Sequence, residues 1–235
     1  MEFCDRTKML FGSIAMQKIA ASKVAIFGVG GVGGYVAEAL ARSGVGEIAL
    51  IDNDTIDITN LNRQILALHS TLGQDKVAVA KARLIDINPN IAVQTYKMFY
   101  LPDNCDQIDL SQFDYIVDAI DTVTAKICLI EKARASNVAI ISSMGTGNKR
   151  DASKLRIAKI SETSVCPLAR VMRKELKERN IFDVDVLFST EAPSKEEKVI
   201  DSAKNKEIPA SFVCPPAVGG LLIANKVLLD IIAKN

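Results

Sequence analysis

The chain has 235 residues, 49% of them hydrophobic, and its 29 basic and 28 acidic side chains nearly cancel. That length and composition are typical of one sizeable α/β domain, with room for a smaller appended region. The near-neutral total excludes an overall field that attracts nucleic acid or a membrane, although a local basic face remains possible. Because the first ten residues lack an apolar signal core, and no long uncharged apolar run follows, we expect a cytoplasmic protein without membrane attachment.

The predicted elements alternate between apolar strands and helices. In chain order they are a strand at 23–28, a helix at 33–43, a strand at 47–52, a helix at 76–86, strands at 92–96 and 115–118, a helix at 125–135 and a strand at 138–142. Such alternation predicts a Rossmann-like, doubly wound and mostly parallel sheet.

From about residue 149 the pattern loosens into a carboxyl-terminal α/β extension. Its predicted elements are a strand at 155–160, a basic amphipathic helix at 167–179, a strand at 185–190, an exposed polar loop at 194–209 and an apolar helix at 216–233. We predict a single domain over 1–235, in which 1–148 bind a nucleotide and 149–235 form the extension.

A glycine-rich turn lies between the first predicted strand and helix. Glycines there allow a tight turn and a close approach of the backbone to phosphate, and the helix amino terminus adds a positive dipole. Asp52 closes the next strand, where a carboxylate meets ribose hydroxyls. An NAD-dependent oxidoreductase would have the same features up to this point. The glycines are Gly28, Gly30, Gly31 and Gly33.

Polar side chains beyond the ribose position distinguish an ATP-binding protein from an NAD-dependent oxidoreductase. Two cations and several amides suit a triphosphate better than a nicotinamide. Asp121 follows another strand at the same edge of the sheet, from which it could reach a magnesium ion on the phosphates, and a helix cap is the alternative interpretation of Asp118 and Asp121. The remaining members of this set are Asp54, Asn60, Arg63, Gln64 and Lys76.

These residues resemble the ThiF/MoeB/HesA family of adenylating proteins, which are related to ubiquitin-activating enzymes, over nearly the whole chain. The resemblance implies ATP and Mg²⁺ as cofactors, with Asp52 on the ribose and Asp121 at the magnesium ion. It also implies a homodimer, because the family sends an amino-terminal arginine, here Arg6, onto the triphosphate of a neighbouring subunit. The phosphate-side residues that it implies are Asn60, Arg63, Gln64 and Lys76, and the catalytic set is Arg6, Arg63, Lys76 and Asp121.

The second half of the chain resembles one tRNA-modifying branch of that family. Members that activate sulfur carriers usually have two Cys-x-x-Cys pairs for zinc, and the five cysteines here include none. The runs at 143–148, 166–170 and 186–191 are instead similar to the branch that dehydrates threonylcarbamoyladenosine in tRNA. The resemblance implies that ATP activates the free carboxylate of this nucleoside, and that its own carbamoyl group closes a ring with loss of water. Family analogy favours an acyl-adenylate over an acyl-phosphate, and it implies a cysteine desulfurase or another sulfur-relay protein as a possible further partner.

Three other functions remain as alternatives: adenylation of a ubiquitin-like sulfur-carrier protein, NAD-dependent oxidoreduction, and a noncatalytic scaffold in a sulfur relay. We expect Cys166 to cap the following helix, rather than to act as a thioester nucleophile, and His69 to be a surface or packing residue. A basic cluster in the second half predicts the tRNA side. It comprises Lys149, Arg150, Arg156, Arg170, Arg173, Lys174, Lys177 and Arg179.

Overall fold

The computed structural model describes residues 3–194, 196–197, 199–201 and 206–234. The strands are β1 Lys23–Phe27, β2 Glu47–Ile51, β3 Ala92–Tyr96, β4 Tyr115–Asp118, β5 Ala139–Ser143, β6 Leu155–Lys159, β7 Asp185–Ser189, β8 Ile200–Asp201 and β9 Lys206–Glu207. The helices are α1 Asp5–Phe11, α2 Ser13–Ala21, α3 Gly33–Arg42, α4 Lys76–Ile87, α5 Val123–Ala135, α6 Pro167–Glu178 and α7 Cys214–Ala233.

The main sheet has seven strands in the order β3-β2-β1-β4-β5-β7-β6. All neighbours pair in parallel except β6, which runs antiparallel to β7. The predicted Rossmann-like α/β fold is therefore confirmed. The extension is continuous with the first part, because β7 pairs directly with β5 and aligns Leu187 with Ser143.

Both faces of the sheet are covered, which explains why its central strands read as nearly unbroken apolar runs. Successive residues of β1 point to opposite faces. Ile26 belongs to the buried cluster that includes Leu40 of α3 and Val227 of α7, whereas Phe27 belongs to the cluster on the other face, which includes Leu129 of α5. The apolar period of the sequence thus places the core on both sides of one sheet.

Two parts of the sequence-based description were incomplete or wrong. No element was predicted before residue 23, yet α1 and α2 lie there; only Ala15 and Ile19 are buried, so the apolar period is weak. The segment 194–209, predicted as a loop, contains the short antiparallel pair β8–β9. A two-residue ladder carries no apolar period, and residues 195, 198 and 202–205 lie outside the described part of the chain.

Helix α7 is the only helix in the described part of the chain that is long and apolar enough to cross a membrane. Its inward residues Ile223, Val227 and Ile231 are buried in the core, against α3 and the sheet. The helix begins at Cys214, two residues earlier than predicted, and its first turn accommodates Pro215 and Pro216. Its composition is accounted for by its position as a core helix.

Candidate nucleotide site

The site lies at the carboxyl edge of the parallel strands, where the loops that follow β1, β2 and β4 meet. Gly28 has φ of 88°, and a Cβ there would lie 2.6 Å from the carbonyl oxygen of Ala119. A Cβ at Gly33, the first residue of α3, would lie 1.8 Å from the carbonyl oxygen of Gly28. These two glycines are required by the close packing of the turn against its neighbours.

Of the other two glycines, Gly30 leaves space above the turn, whereas Gly31 packs closely against the start of α7. A Cβ at Gly30 would have Gln64 Nε2 as its nearest neighbour, at 3.9 Å. One at Gly31 would meet Pro216 at 3.2 Å and Arg63 Cγ at 3.8 Å. The amide and guanidinium side chains therefore lie over the turn, beside the start of α7.

A chain of polar contacts joins the turn to α4. Asp52 Oδ2 accepts the N–H of Val29 at 2.6 Å, and Asp52 Oδ1 accepts the N–H of Asp54 at 2.8 Å. Asp54 Oδ2 lies 2.7 Å from Nζ of Lys76, the first residue of α4. The Lys76 side chain is nearly buried, whereas that of Asp54 is 56% exposed. The structure therefore brings Asp52, Asp54 and Lys76 together at the turn.

The segment after Asp54 carries the remaining predicted groups. Asn60 is buried, and its Oδ1 accepts the N–H of Asp57 at 3.2 Å. Arg63 Nη1 donates to the carbonyl oxygen of Thr59 at 2.7 Å. Gln64 is also buried, and its Oε1 has no hydrogen-bond partner. Because buried acceptors are normally satisfied, this oxygen marks a position for a donor from a ligand, such as a nucleotide hydroxyl or amino group.

Asp121 and Arg6 are both exposed, unlike the buried Asn60, Gln64 and Lys76 of the predicted site. Asp121 is exposed and lies 3.4 Å from Thr122 Oγ1. The described residues include no group of three or more His, Cys, Asp or Glu able to hold a metal, so a magnesium ion there would take most of its ligands from phosphate and water. Arg6 is exposed on α1, whose preceding Cys4 approaches Gly44, at the end of α3 far from the turn. Since α3 has 10 residues and is about 15 Å long, Arg6 does not reach the turn of its own chain.

Sequence reasoning did not find the ion pair between Lys126 and Asp118, both fully buried, at 2.9 Å. Asp118 is therefore not the helix cap considered above. The available signal was a lysine inside the apolar start of a helix, eight residues after an aspartate. A buried lysine of this kind requires a partner.

The other candidates are Cys166 and His69. Cys166 is buried with Met144 and Met172 and occupies the N-cap position of α6, without a side-chain capping bond. Burial lowers the pKa of the nearby Lys149 ammonium, an effect that the negative charge of Glu191 opposes. His69 lies at the surface.

One cavity, of about 450 Å³, is lined by Asn148, Lys149, Arg150, Ser211 and Phe212, and the carbonyl oxygen of Ser211 accepts from Asn62 Nδ2 at 2.9 Å. This contact places the cavity beside the segment that carries Arg63. The other, of about 540 Å³, surrounds Asn137 at the opposite edge of the sheet and is remote from the turn.

A doubly wound sheet with a glycine turn at its carboxyl edge defines a nucleotide-binding protein of the Rossmann-like class. The ThiF family model matches residues 4–224, and the chain belongs to that family. It is 42% identical to the tRNA threonylcarbamoyladenosine dehydratase of Bacillus subtilis, over 97% of this chain and 94% of that protein.

Two further comparisons separate the branches of the family. The crystal structure of the E. coli tRNA N6-threonylcarbamoyladenosine dehydratase in complex with ATP superposes with a TM-score of 0.89 at 32% identity, and covers 98% of this chain and 94% of that one. The adenylyltransferase and sulfurtransferase UBA4 of Debaryomyces hansenii is 37% identical, but over only 60% of this chain and 31% of that protein. The similarity thus extends over the whole length only for the dehydratases among these relatives.

Proposed function

We propose that this protein is an ATP-dependent tRNA threonylcarbamoyladenosine dehydratase. The observation that carries the proposal is the unpartnered oxygen of Gln64 over a glycine turn, on a chain that matches the dehydratases over nearly its whole length. Residues 1–148 hold the nucleotide, and residues 149–235 form the side that receives the nucleoside and the tRNA.

The described residues fit ATP. Asp52 lies at the end of β2, where its carboxylate can accept from ribose hydroxyls in addition to its two backbone donors. Lys76 Nζ has three donors and uses one on Asp54, so two remain for phosphate oxygens. The Nε and Nη2 donors of Arg63 have no hydrogen-bond partner among the described residues, so they remain for the same phosphates. Asp121 supplies a carboxylate oxygen for Mg²⁺ beside those phosphates.

When bound, ATP supplies a phosphate-type leaving group for the carboxylate of the modified nucleoside. Arg63 and Lys76 stabilise the negative charge that develops on the phosphates, and the turn holds them in place. The nucleophile belongs to the substrate, so no enzyme thiol is required. Cys166 is buried, as expected for a thiol that takes no part in the reaction.

The tRNA is proposed to lie along α6. Arg170, Lys174 and Lys177 are spaced by four and three residues and so share one helix face. All three are exposed, and none forms an ion pair with a carboxylate in the described part of the chain. The helix begins beside Lys149, which lines the 450 Å³ cavity. A phosphate backbone on this face would lead a nucleoside towards that cavity.

The active unit is proposed to be a cytoplasmic homodimer. Arg6 does not reach the turn of its own subunit, and the same amino-terminal region exposes an apolar group. Association through this region would cover the group and bring Arg6 to the phosphates of the partner. The exposed residues are Phe3, Met9, Leu10 and Ile14. A sulfur-relay partner stays a prediction from the family resemblance alone.

The proposed roles are tested by replacing Arg63 or Asp121 with alanine. Loss of either group is expected to lower ATP-dependent dehydration of modified tRNA by at least about 100-fold, since each acts on developing or metal-bound charge. Lys81→Ala, an exposed change on α4, is the matched control and should retain normal turnover. Near-normal turnover by either variant would refute the role given to that residue.

A further inference from the structure

A buried ion pair lies directly beneath the nucleotide site. Lys126 of α5 and Asp118 at the end of β4 are both fully buried, and Nζ lies 2.9 Å from Asp118 Oδ2. Ser142 of β5, aligned with Asp118 across the sheet, donates to the same oxygen at 2.5 Å and accepts from Lys126 Nζ at 3.2 Å. Two donors therefore hold one oxygen of the carboxylate.

The other oxygen of this carboxylate holds the loop above it. Asp118 Oδ1 accepts the N–H of Ile120 at 3.1 Å, and Ile120 immediately precedes Asp121. The intervening Ala119 donates its N–H to the carbonyl oxygen of Phe27 at 2.8 Å, and its own carbonyl oxygen lies against Gly28. One carboxylate thus links the core to the loop that carries Asp121, beside the glycine turn.

Stability alone is a weak explanation for this arrangement. Removing two charges from water is costly, and apolar side chains of similar volume often stabilise a core as well or better. This ion pair also orients the Asp118 carboxylate. With Oδ2 held by Lys126 and Ser142, Oδ1 is directed towards the N–H of Ile120.

We propose that Asp118, oriented by Lys126 and Ser142, is a positioning residue for the phosphate side of the site. Its Oδ1 fixes the backbone at Ile120 and so fixes where Asp121 faces the nucleotide. The proposal rests on the proposed role of Asp121 as a ligand of Mg²⁺ bound with ATP. Asp118 itself, which is fully buried, is proposed to touch neither Mg²⁺ nor ATP.

Two charge-free double variants separate positioning from charge. Lys126→Met with Asp118→Asn retains an oxygen that can accept from Ile120, whereas Lys126→Met with Asp118→Leu removes it. Both lack the buried charges, and asparagine and leucine have the same number of side-chain heavy atoms, branched at Cγ. Lys132→Met is the control, because Lys132 lies on the same helix and pairs at the surface with Asp106. Calorimetry measures the affinity for ATP with Mg²⁺ and with EDTA.

The asparagine double variant and the control are expected to retain the affinity for ATP with Mg²⁺. The leucine double variant should lose about 10- to 100-fold, the usual effect of removing a group that orients a metal ligand, and should change little in EDTA. Adding Asp121→Ala to the leucine double variant should cause little further loss. Equal affinities of the two double variants, or a full additional loss with Asp121→Ala, would overturn the proposal.

Amide hydrogen exchange provides a readout that does not depend on ATP or on the folding of the leucine variant. The Ile120 amide should be protected in the parent protein and in the asparagine double variant. Rapid exchange at Ile120 in the parent would overturn the proposal by itself. If Asp121→Ala alone leaves the magnesium-dependent affinity unchanged while Ile120 is protected, the proposed role of Asp121 is wrong and the hydrogen bond from Ile120 to Asp118 stands.

Discussion

At the residue scale, the glycines of the turn have two different uses. Gly28 and Gly33 are required by the protein itself, since a Cβ at either would collide with backbone. Gly30 instead leaves room under Gln64, and Gly31 packs closely against Pro216 at the start of α7. A pattern of glycines predicts the turn, but only the structure separates packing positions from those that face a ligand.

Gln64→Leu is expected to separate stability from binding. Removing an unpartnered buried oxygen should change the free energy of unfolding by less than about 1 kcal/mol, or raise it, because no hydrogen bond is lost. ATP affinity should fall about tenfold, since the ligand donor loses its acceptor. Urea unfolding and calorimetry measure the two quantities.

Gln74→Leu is the control for this change, because Gln74 is exposed and its side chain donates only to the carbonyl oxygen of Ser70 in the described part of the chain. It should leave ATP affinity unaltered. A Gln64 variant that unfolds more easily yet binds ATP normally would show that the side chain serves the fold alone.

At the element scale, α3 is tied to α4 by a carboxylate between two arginines. Glu38 Oε2 lies 2.6 Å from Arg83 Nε, and Oε1 lies 2.6 Å from Arg42 Nη2. Burial alone would raise the pKa of Glu38, but the hydrogen bonds and charges of Arg83 and Arg42 outweigh it and hold the pKa below its usual 4.5. The ion pair of Glu38 and Arg83 thus fixes α4, which begins at Lys76, against α3, which begins at the glycine turn.

The sign of this shift predicts a pH dependence for the free energy of unfolding. A lowered pKa in the folded state adds stability that is complete above the unfolded pKa and lost as the pH falls through the folded one. Glu38→Gln should therefore cost about 1–2 kcal/mol at pH 7, and the difference from the parent should shrink below about pH 4. Urea unfolding across this range checks it, with Glu178→Gln on the exposed side of α6 as control. A difference that stays constant down to pH 3 would contradict the assignment.

If tRNA binds the exposed basic face of α6, removing its charges should change the salt dependence of tRNA binding. Replacing Arg170, Lys174 and Lys177 with alanine should weaken tRNA binding and reduce the slope of log affinity against log salt by about 0.7 to 0.9 for each phosphate that the variant no longer neutralises. Alanine preserves the helix, so folding should be unaffected. Binding titrations at several salt concentrations measure the slope, with Lys81→Ala as control. An unchanged slope would place the tRNA elsewhere.

At the scale of the whole molecule, the sequence predicted the features that depend on local period and spacing. The parallel sheet, the turn at Gly28 and the gathering of polar residues after β2 all follow from strands that end at one edge. The buried ion pair of Lys126 and Asp118 was not predicted, because the full burial of both side chains results from the packing of α5 on β4 and β5, which local period and spacing do not show. Helices α1 and α2 were missed for another reason: Met9, Leu10 and Ile14 remain exposed, so no single buried face marks the period.

The most direct test of the proposed function is mass spectrometry of the modified nucleoside. tRNA that carries threonylcarbamoyladenosine is incubated with the protein and Mg²⁺, with or without ATP, and digested under mild conditions, because a cyclised product can reopen. We predict loss of one water from the nucleoside only when ATP is present. An unchanged mass with ATP, on tRNA that a dehydratase such as the Bacillus subtilis relative converts, would contradict the proposed function.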